Sequence, residues 1–303
     1  MPKPVRYLGI RLLALWRWPG VFINYILHDK DTFPIELAVA AVMKNEGPYL
    51  KEWIEYHRMA GVEKFYLYDN ESSDNTKEIL KPYIREGIVD YVYFPGIGYR
   101  NQIRSYADLV RRVRNRVKWL AVIDIDEFIV PVTKTKIIDI INDLSTAVRQ
   151  KEHKKLFGLA IRWVQYGYGG HYTKPDGLVI ENFRKNAGAV MHMKSIVNPR
   201  AAFYVAPLSV HTPMYLDFSF GRTETGGQNP WEAPISVNTV RVNHYFTKSY
   251  EEFRKKIERN KIGRSETEYI LPEYDPDYMS QYEDPIMDKY TAPLRRAVAM
   301  TKN

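Results

Sequence analysis

The sequence predicts an α/β fold whose central sheet is mostly parallel in its first half and mixed in its second half. Between residues 36 and 131, apolar stretches alternate with segments in which apolar residues recur at helical spacing. These stretches are nearly continuous, as is typical of parallel strands that are covered on both faces. We find no linker that would separate two independent domains, so we expect one large domain with appendages.

Strands and helices alternate through the first half of the chain. The helix predicted over 46–59 ends at Gly61 and the helix over 76–85 ends at Gly87, since glycine is a common helix stop. A third helix is predicted over 100–117. Strands are predicted at 37–43, 64–69 and 88–94, with a fourth that begins at Trp119 and ends at the carboxylates of Asp124 and Asp126. This alternation indicates a parallel sheet of the nucleotide-binding type.

The pattern changes after Pro131. A helix over 136–148 precedes a long strand over 156–166 and a loop rich in glycine and tyrosine, from Tyr166 to His171. Strand-like segments continue to Val242, and the last clear helix covers 250–261. We therefore expect a more antiparallel second half, a globular domain over residues 34–265 and a C-terminal tail over 266–303.

The composition limits the kinds of site and partner. The chain has 303 residues and no cysteine, which excludes disulfides and thiolate metal sites. Its formal net charge of +8 favours anionic partners such as nucleic acid, membrane or phosphorylated substrates. Nucleic-acid binding would need exposed aromatic residues among the basic ones or a known module, and we recognise neither. The basic run from Arg100 to Lys118 is a solvated helix face or a surface for phosphate or membrane.

Residues 1–33 form a basic segment that we expect to associate with an anionic membrane surface. Lys3, Arg6, Arg11 and Arg17 occur without an acid before Asp29, and apolar residues recur at helical spacing until Pro19-Gly20 breaks the pattern. The longest uncharged run, from Trp18 to Leu27, has ten residues, whereas a membrane-spanning helix needs about 20. A basic amphipathic segment can lie in the membrane interface. The alternative is a helix packed on the protein's own core or on a partner subunit.

The location follows from the same segment. We expect no signal peptide, because no small-residue cleavage site follows the apolar run. We therefore expect a cytoplasmic protein that is bound peripherally to the inner face of the membrane.

The stretch from Trp119 to Pro131 is the most informative feature of the chain. Five apolar residues run into Asp124 and Asp126, and residues i and i+2 of a strand point to the same side. Two carboxylates at the carboxyl end of a strand repel each other unless a cation lies between them. Such oxygen ligands suit Mn²⁺ or Mg²⁺, with other positions left for water and phosphate. The alternative is an acidic corner between a strand and a loop.

Polar residues also follow the first two strands. Lys44-Asn45-Glu46 precedes a helix N-terminus, where anions are favoured. Asp69 and Asn70 end the second strand, and a carboxylate there can accept a hydrogen bond from a ribose hydroxyl or a base. Asp74 is a ligand of this kind or a cap of the next helix. Neither common glycine-rich phosphate loop occurs, so metal and basic side chains would have to hold a phosphate.

Several motifs together resemble glycosyltransferase family 92, roughly from residue 36 to 262. They include Lys44-Asn45-Glu46, Tyr68-Asp69-Asn70-Glu71-Ser72-Ser73-Asp74, Ile123-Asp124-Ile125-Asp126-Glu127-Phe128, His192-Met193-Lys194 and Asn243-His244-Tyr245. The resemblance implies a GT-A fold, a nucleotide-sugar donor such as UDP-galactose, Mn²⁺ and inversion at the anomeric carbon. The loop from Tyr166 to His171 stands where the family has a serine-rich glycine loop, which leaves the acceptor open.

The residues above and the resemblance together predict the metal ligands, the donor-binding residues and the catalytic base. The expected metal ligands are Asp124, Asp126 and His244. The expected donor-binding residues are Lys44, Asn45, Glu46, Asp69, Asn70, Asp74, Gln102, Asp108, Asp124, Lys194 and Lys248. Asp217, next to aromatic residues in the expected acceptor half, is our choice of catalytic base, with Glu127, Glu181, Glu224 and Glu232 as alternatives.

The expected activity is metal-dependent, inverting transfer of a hexose, with galactose favoured, from a UDP-sugar to a glycan or lipid-linked glycan. The expected cofactor is Mn²⁺ or Mg²⁺, and no nucleic-acid partner is expected. A nucleotidyltransferase is the alternative enzyme, although it would normally need a glycine-rich loop after the first strand. A non-catalytic scaffold or glycan-binding protein is the other alternative, against which Asp124, Asp126 and His244 argue.

Overall fold

The computed structural model describes residues 3–29, 32–203, 211, 213–261, 275 and 277–301. In that part of the chain the helices are α1 (Lys3–His28), α2 (Gly47–Met59), α3 (Thr76–Arg85), α4 (Gly98–Val113), α5 (Ile137–Glu152), α6 (Val179–Asn182), α7 (Tyr250–Lys261) and α8 (Asp288–Met300). The strands are β1 (Ile35–Met43), β2 (Lys64–Asp69), β3 (Val89–Tyr93), β4 (Val117–Val122), β5 (Glu127–Pro131), β6 (Gly158–Tyr166), β7 (Lys185–Val197), β8 (Ala202–Phe203), β9 (Met214–Tyr215), β10 (Arg222–Thr223), β11 (Val240–His244) and β12 (Tyr282–Glu283). Short 3₁₀ turns occur at Tyr278–Ser280 and Pro285–Met287.

The first half of the sheet consists of parallel strands in the order β3-β2-β1-β4. Met43 of β1 lies opposite Asp69 of β2, and Ala40 of β1 lies opposite Val122 of β4. The residues that follow these strands therefore meet at one edge of the sheet. The predicted α/β fold with a parallel first half is confirmed.

The second half of the sheet is mixed. β7 is antiparallel to both β4 and β6, while β11 is parallel to β6 and antiparallel to β5. The pairing of β11 with β5 places His244 opposite Glu127, one residue after Asp126. A residue far along the chain is thereby brought to the carboxyl end of β4.

Apolar cores lie on both faces of the sheet because alternate residues of β1 point to opposite sides. Leu37 and Val39 belong to a core that includes side chains of α2, α3, α5 and α8. Ala38 and Ala40 belong to a second core with Tyr106 and other side chains of α4. A smaller cluster joins α1 to β8 and β9.

The prediction that the fourth strand itself carries Asp124 and Asp126 is wrong. β4 ends at Val122, residues 123–126 form a connection, and β5 begins at Glu127. The backbone N–H of Glu127 donates to the carbonyl of Asp124 (3.1 Å), and the Glu127 carboxylate accepts from the Asp124 N–H (2.9 Å). Both bonds close a turn, so Asp124 and Asp126 lie near each other through that turn and not through strand geometry.

Three further boundaries differ from the prediction. α4 ends at Val113, because Val117 already pairs with Ile35 of β1. α1 continues through Pro19-Gly20; the hydrogen bond that a proline removes is offset by the packing of neighbouring residues on the domain. The described residues beyond 274 are not a separate tail: β12 pairs with β7, and Leu294 of α8 is completely buried.

Within the described residues, none of the helices combines the length and the apolar character needed to cross a membrane.

Candidate active site

A cavity of about 380 Å³ lies at the edge of the sheet where β1, β2 and β4 end. Residues from both halves of the chain line it: Val42, Met43, Lys44, Glu46, Asn70, Gln102, Asp124, Ile125, Asp126, Trp163, His244, Phe246 and Lys256. Open α/β sheets bind ligands at this edge, outside the carboxyl ends of the strands. The cavity is thus the candidate active site.

Asp124 is held at the cavity by a buried lysine. The Lys194 side chain is 1% exposed, and its Nζ lies 2.7 Å from Asp124 Oδ2 and 3.1 Å from Glu127 Oε2. Burial alone would raise the pKa of Asp124, but the Lys194 ammonium holds it below its usual value. Burial raises the pKa of Glu127 to about 8. This group therefore contains one compensated ion pair, Lys194 with Asp124, and a carboxyl group, Glu127, whose burial favours its protonated form.

Asp126 contacts one ammonium group and one imidazole ring. Its Oδ2 accepts a hydrogen bond from Lys256 Nζ at 2.7 Å, and its Oδ1 lies 3.7 Å from His244 Nε2. Burial opposes ionisation, but Lys256 and then His244 hold the pKa of Asp126 well below its usual value. Asp126 is consequently a carboxylate throughout the physiological pH range.

His244 ends β11 and is nearly buried. Its ring packs against the indole of Trp163, with centroids 4.4 Å apart. Burial lowers the pKa of His244 although Asp126 opposes the shift; the lowered pKa favours the neutral ring, whose Nε2 can act as a ligand atom. Its buried Nδ1 has no hydrogen-bond partner among the described residues.

The side chains at the cavity suit a divalent metal whose remaining ligands come from a bound substrate. As they lie, the described residues contain no group of three or more histidine or acidic side chains arranged around a metal ion. Mg²⁺ commonly uses only one or two carboxylates together with substrate phosphates, and imidazole is an acceptable ligand of Mn²⁺. Asp126 and His244 supply such a pair, and Asp124 lines the same cavity. The assignment of these three residues as metal ligands stays a prediction.

Several predicted donor-binding residues line the cavity, namely Lys44, Glu46, Asn70, Gln102 and Asp124. Lys248 lies beside it: its Nζ is 3.9 Å from the centre of the Tyr49 ring and 3.7 Å from Glu46 Oε2. The strand order of the sheet brings all of them to one side of the molecule.

Other predicted donor-binding residues are engaged in the walls of the site. Asn45 accepts a hydrogen bond from the Ser73 N–H, and Asp69 accepts from the Ser72 N–H and the Tyr91 hydroxyl. Asp74 accepts from the N–H groups of Gly47 and Thr76, at the starts of α2 and α3. Asp108 accepts from the Tyr68 hydroxyl at 2.8 Å. These contacts fix the loops after β1 and β2, and they support the capping interpretation of Asp74.

Asp217 lies away from the cavity among the described residues. Its carboxylate accepts from the Ser219 N–H, and the neighbouring Leu216 carbonyl accepts from the indole of Trp18 in α1. Of the alternatives, Glu127 and Glu181 contact Lys194 and Arg295, and Glu224 accepts from backbone N–H groups of residues 238–240. The exposed Glu232 also does not line the cavity. The assignment of the base therefore stays a prediction without geometric support.

Lys256 and Trp163 are among the cavity residues that were not predicted from the sequence. Lys256 contacts Asp126 although it lies on α7, whose charged residues resemble those of an ordinary solvated helix. Trp163 lies on the buried strand β6 and forms a wall of the cavity. A pattern of alternating residues could have indicated the side of β6 that Trp163 faces. No local signal indicates that α7 folds back over the first half of the sheet.

Comparison with known proteins identifies a family. The family model described as glycosyltransferase family 92 matches residues 39–278. A glycosyltransferase family 92 protein of Oryza sativa subsp. japonica is 25% identical over 223 residues, which cover 73% of this chain and 35% of that protein. The beta-1,4-galactosyltransferase galt-1 of Caenorhabditis elegans is 29% identical over 121 residues, which cover 37% of this chain and 28% of that protein. The chain thus spans about a third of the length of the curated relatives it matches.

Solved structures resemble the chain only distantly. Residues 1–349 of S. aureus TarS, in complex with UDP, are 12% identical with a TM-score of 0.33, over 55% of this chain and 47% of that chain. A likeness of this degree indicates no ligand.

Proposed function

The chain belongs to glycosyltransferase family 92, and on this premise we propose that it transfers a hexose from a UDP-sugar to a hydroxyl of a glycan or lipid-linked glycan, with inversion and with a divalent metal. Galactose is the favoured sugar, because the similar protein of C. elegans is named a beta-1,4-galactosyltransferase. The observation that carries the proposal is the cavity at the carboxyl ends of β1, β2 and β4, where Asp124, Asp126 and His244 meet the basic side chains Lys44 and Lys256.

The basic side chains suit the leaving group of the reaction. The sugar departs from a nucleoside diphosphate, whose developing negative charge must be stabilised. Lys44 and Lys256 line the cavity, and Lys248 lies beside it. Since the chain has no glycine-rich phosphate loop, these ammonium groups are the protein's own cations for the diphosphate.

Asp126, His244 and Asp124 would hold the metal. When bound, a divalent ion supplies Lewis-acid stabilisation of the diphosphate oxygens. The protein's contribution is orientation: Lys194 holds the Asp124 carboxylate, and Trp163 packs against the His244 ring. Changing such partners of metal ligands typically costs about 10–100-fold in metal affinity or activity.

Asn70 and Gln102 offer polar groups for the nucleoside. Asn70 follows β2, and its Oδ1 accepts a hydrogen bond from the Gly96 N–H at 2.9 Å, which fixes the side chain at the cavity. Gln102 donates to the Tyr106 hydroxyl at 3.0 Å and also lines the cavity. Nucleotides bind at this position in open parallel sheets, which supports a nucleotide-sugar as the donor.

A donor-by-metal screen tests the proposal. The purified chain is incubated with a panel of UDP-sugars and Mn²⁺, Mg²⁺ or EDTA, and released UDP is measured. We expect release from a UDP-hexose with Mn²⁺ or Mg²⁺ and none with EDTA. Asp126→Asn should remove this release, whereas Asp143→Asn, at an exposed carboxylate paired with Lys134, should leave it unchanged. Release by Asp126→Asn at the wild-type rate would overturn the site assignment. Formation of UTP and a sugar 1-phosphate from the UDP-sugar and added pyrophosphate, in place of UDP release, would indicate a nucleotidyltransferase.

A further inference from the structure

The helix α1 carries apolar residues on two different faces. Its inner face packs on the domain: Val21 is 6% exposed, Trp18 Nε1 donates to the Leu216 carbonyl at 2.9 Å, and the Tyr25 ring meets Phe157 at 5.6 Å. These contacts, with residues just after β9 and just before β6, anchor the second half of α1. Because this inner face is held on the domain, the opposite face of α1 points away from the domain.

The outer face of α1 is apolar and exposed to solvent. Trp16 is 88% exposed, and Ile23 and Leu27 are 57% and 68% exposed. These residues are seven and four positions apart, so they lie on one side of the helix. The set of exposed apolar residues is Leu15, Trp16, Phe22, Ile23, Ile26 and Leu27. A contiguous apolar patch of this kind indicates an interaction surface and not an ordinary solvated surface.

Basic residues are numerous in the sequences of α1 and α4. α1 contains Lys3, Arg6, Arg11 and Arg17 and no acid. The basic helix α4 lies alongside, since Asn24 of α1 hydrogen-bonds Asn115 just after α4 at 3.2 Å. A cavity of about 440 Å³ between the two helices is lined by Trp16, Arg17 and Arg114, among others. Two further arginines, Arg112 of α4 and Arg116 just after it, are exposed.

We propose that the outer face of α1 docks the domain on an anionic lipid membrane, with its apolar side chains between lipid headgroups and the arginines of α1 and α4 on lipid phosphates. Apolar burial and attraction to anionic lipid together are what bind interfacial helices. Exposed arginines next to apolar residues match a lipid surface in charge, because lipid phosphates attract basic segments near the membrane. This inference does not depend on the proposed activity.

The docking face is also connected to the candidate active site. β9 packs under α1, and the ring of His211, three residues before β9, lies 5.7 Å from that of Trp163 in the cavity wall. A membrane held at α1 would therefore lie on the part of the domain that continues into the site. This arrangement favours an acceptor carried by a lipid.

Vesicle co-sedimentation of the full chain tests the proposal. The probes are vesicles of phosphatidylcholine alone and of phosphatidylcholine with phosphatidylglycerol. The test variant is Ile23→Ser with Ile26→Ser on the outer face of α1. The matched control is Ile84→Ser with Met300→Ser, which are exposed apolar residues of α3 and α8 on the opposite face of the sheet. Arg112→Gln with Arg116→Gln tests the charge separately.

We expect the wild type and the control variant to bind the anionic vesicles and the α1 variant to bind at least about tenfold more weakly, since binding scales with buried apolar area. The arginine variant should lose most of the dependence on anionic lipid. Trp16 fluorescence should shift to the blue with vesicles and lose this shift in Trp16→Phe. Equal binding by all variants would overturn the proposal. An absence of vesicle binding by the wild type would also overturn it. In that case, a wild-type dimer that the α1 variant converts to a monomer would show that the outer face binds a second copy of the chain.

Discussion

Lys194 is expected to be the most sensitive stabilising residue near the candidate active site. Its ammonium is 1% exposed and lies between the carboxyl groups of Asp124 and Glu127, at 2.7 and 3.1 Å. Lys194→Met would leave the Asp124 carboxylate without its cation next to a buried Glu127. Removing one partner of a buried ion pair costs about 3–5 kcal/mol. In a chain of this size that corresponds to a fall in Tm of about 6–10 °C.

The assay is thermal unfolding followed by circular dichroism, without nucleotide or metal. Lys185→Met is the matched control, because Lys185 lies on the same strand β7 but is exposed; its Tm should stay within about 1–2 °C of wild type. Lys194→Met with Asp124→Asn removes both charges and should recover part of the lost stability, since the buried charge is then no longer uncompensated. A Lys194→Met protein that melts with the wild type would refute this reasoning, as would a double variant less stable than Lys194→Met.

Three further predictions concern other parts of the molecule. Lys256→Met should weaken binding of UDP without metal about tenfold, because a hydrogen bond to a charged group contributes about 1.5 kcal/mol. Calorimetry measures this affinity. Lys255→Met is the control and should bind UDP like the wild type, because Lys255 lies on the same helix but pairs with the exposed Glu251. Burial lowers the pKa of His57 to about 3, so the unfolded chain takes up its proton first as the pH falls below about 6.5. The free energy of unfolding should then decrease by up to about 1.4 kcal/mol per pH unit, and His57→Gln should flatten this slope in urea titrations at pH 7 and pH 4.5; an equal slope in both proteins would contradict the assignment. Gly158→Ala should destabilise the domain by about 1–3 kcal/mol, because the added methyl group would overlap the Tyr215 ring and hydroxyl. Gly20→Ala is the control and should not destabilise the domain, because the space around Gly20 is open. The denaturant midpoints of the two variants test this prediction.

Local patterns were sufficient to predict much of the first half of the fold. The bounds of β2, α3 and α7 agree with those predicted, because apolar periodicity and glycine stops are local signals. The connection at Asp124 could not be predicted in this way. Ile123 and Ile125 continue an apolar strand pattern, and the turn is closed by Glu127, whose carboxylate is buried through tertiary contacts.

The candidate site was predictable to the extent that it lies next to strand ends. Lys44, Asn70 and Asp124 were expected from the ends of β1, β2 and β4, and all three line the cavity. Lys194 was expected at the donor, whereas its ammonium pairs with Asp124 and Glu127 in the interior. The contact of Lys256 with Asp126 spans 130 residues along the chain, so it depends on the path of β11 and α7 and not on any local pattern.

We propose above all that the cavity at Asp126 binds a nucleoside diphosphate together with a divalent metal. Calorimetric titration of UDP into the chain, with and without Mn²⁺, tests it most directly. We expect UDP to bind wild type more tightly with Mn²⁺, and Asp126→Ala to lose this enhancement while the exposed-site variant Asp143→Ala keeps it. Equal enhancement by Mn²⁺ in Asp126→Ala and wild type, or no UDP binding to the wild type under either condition, would contradict the claim.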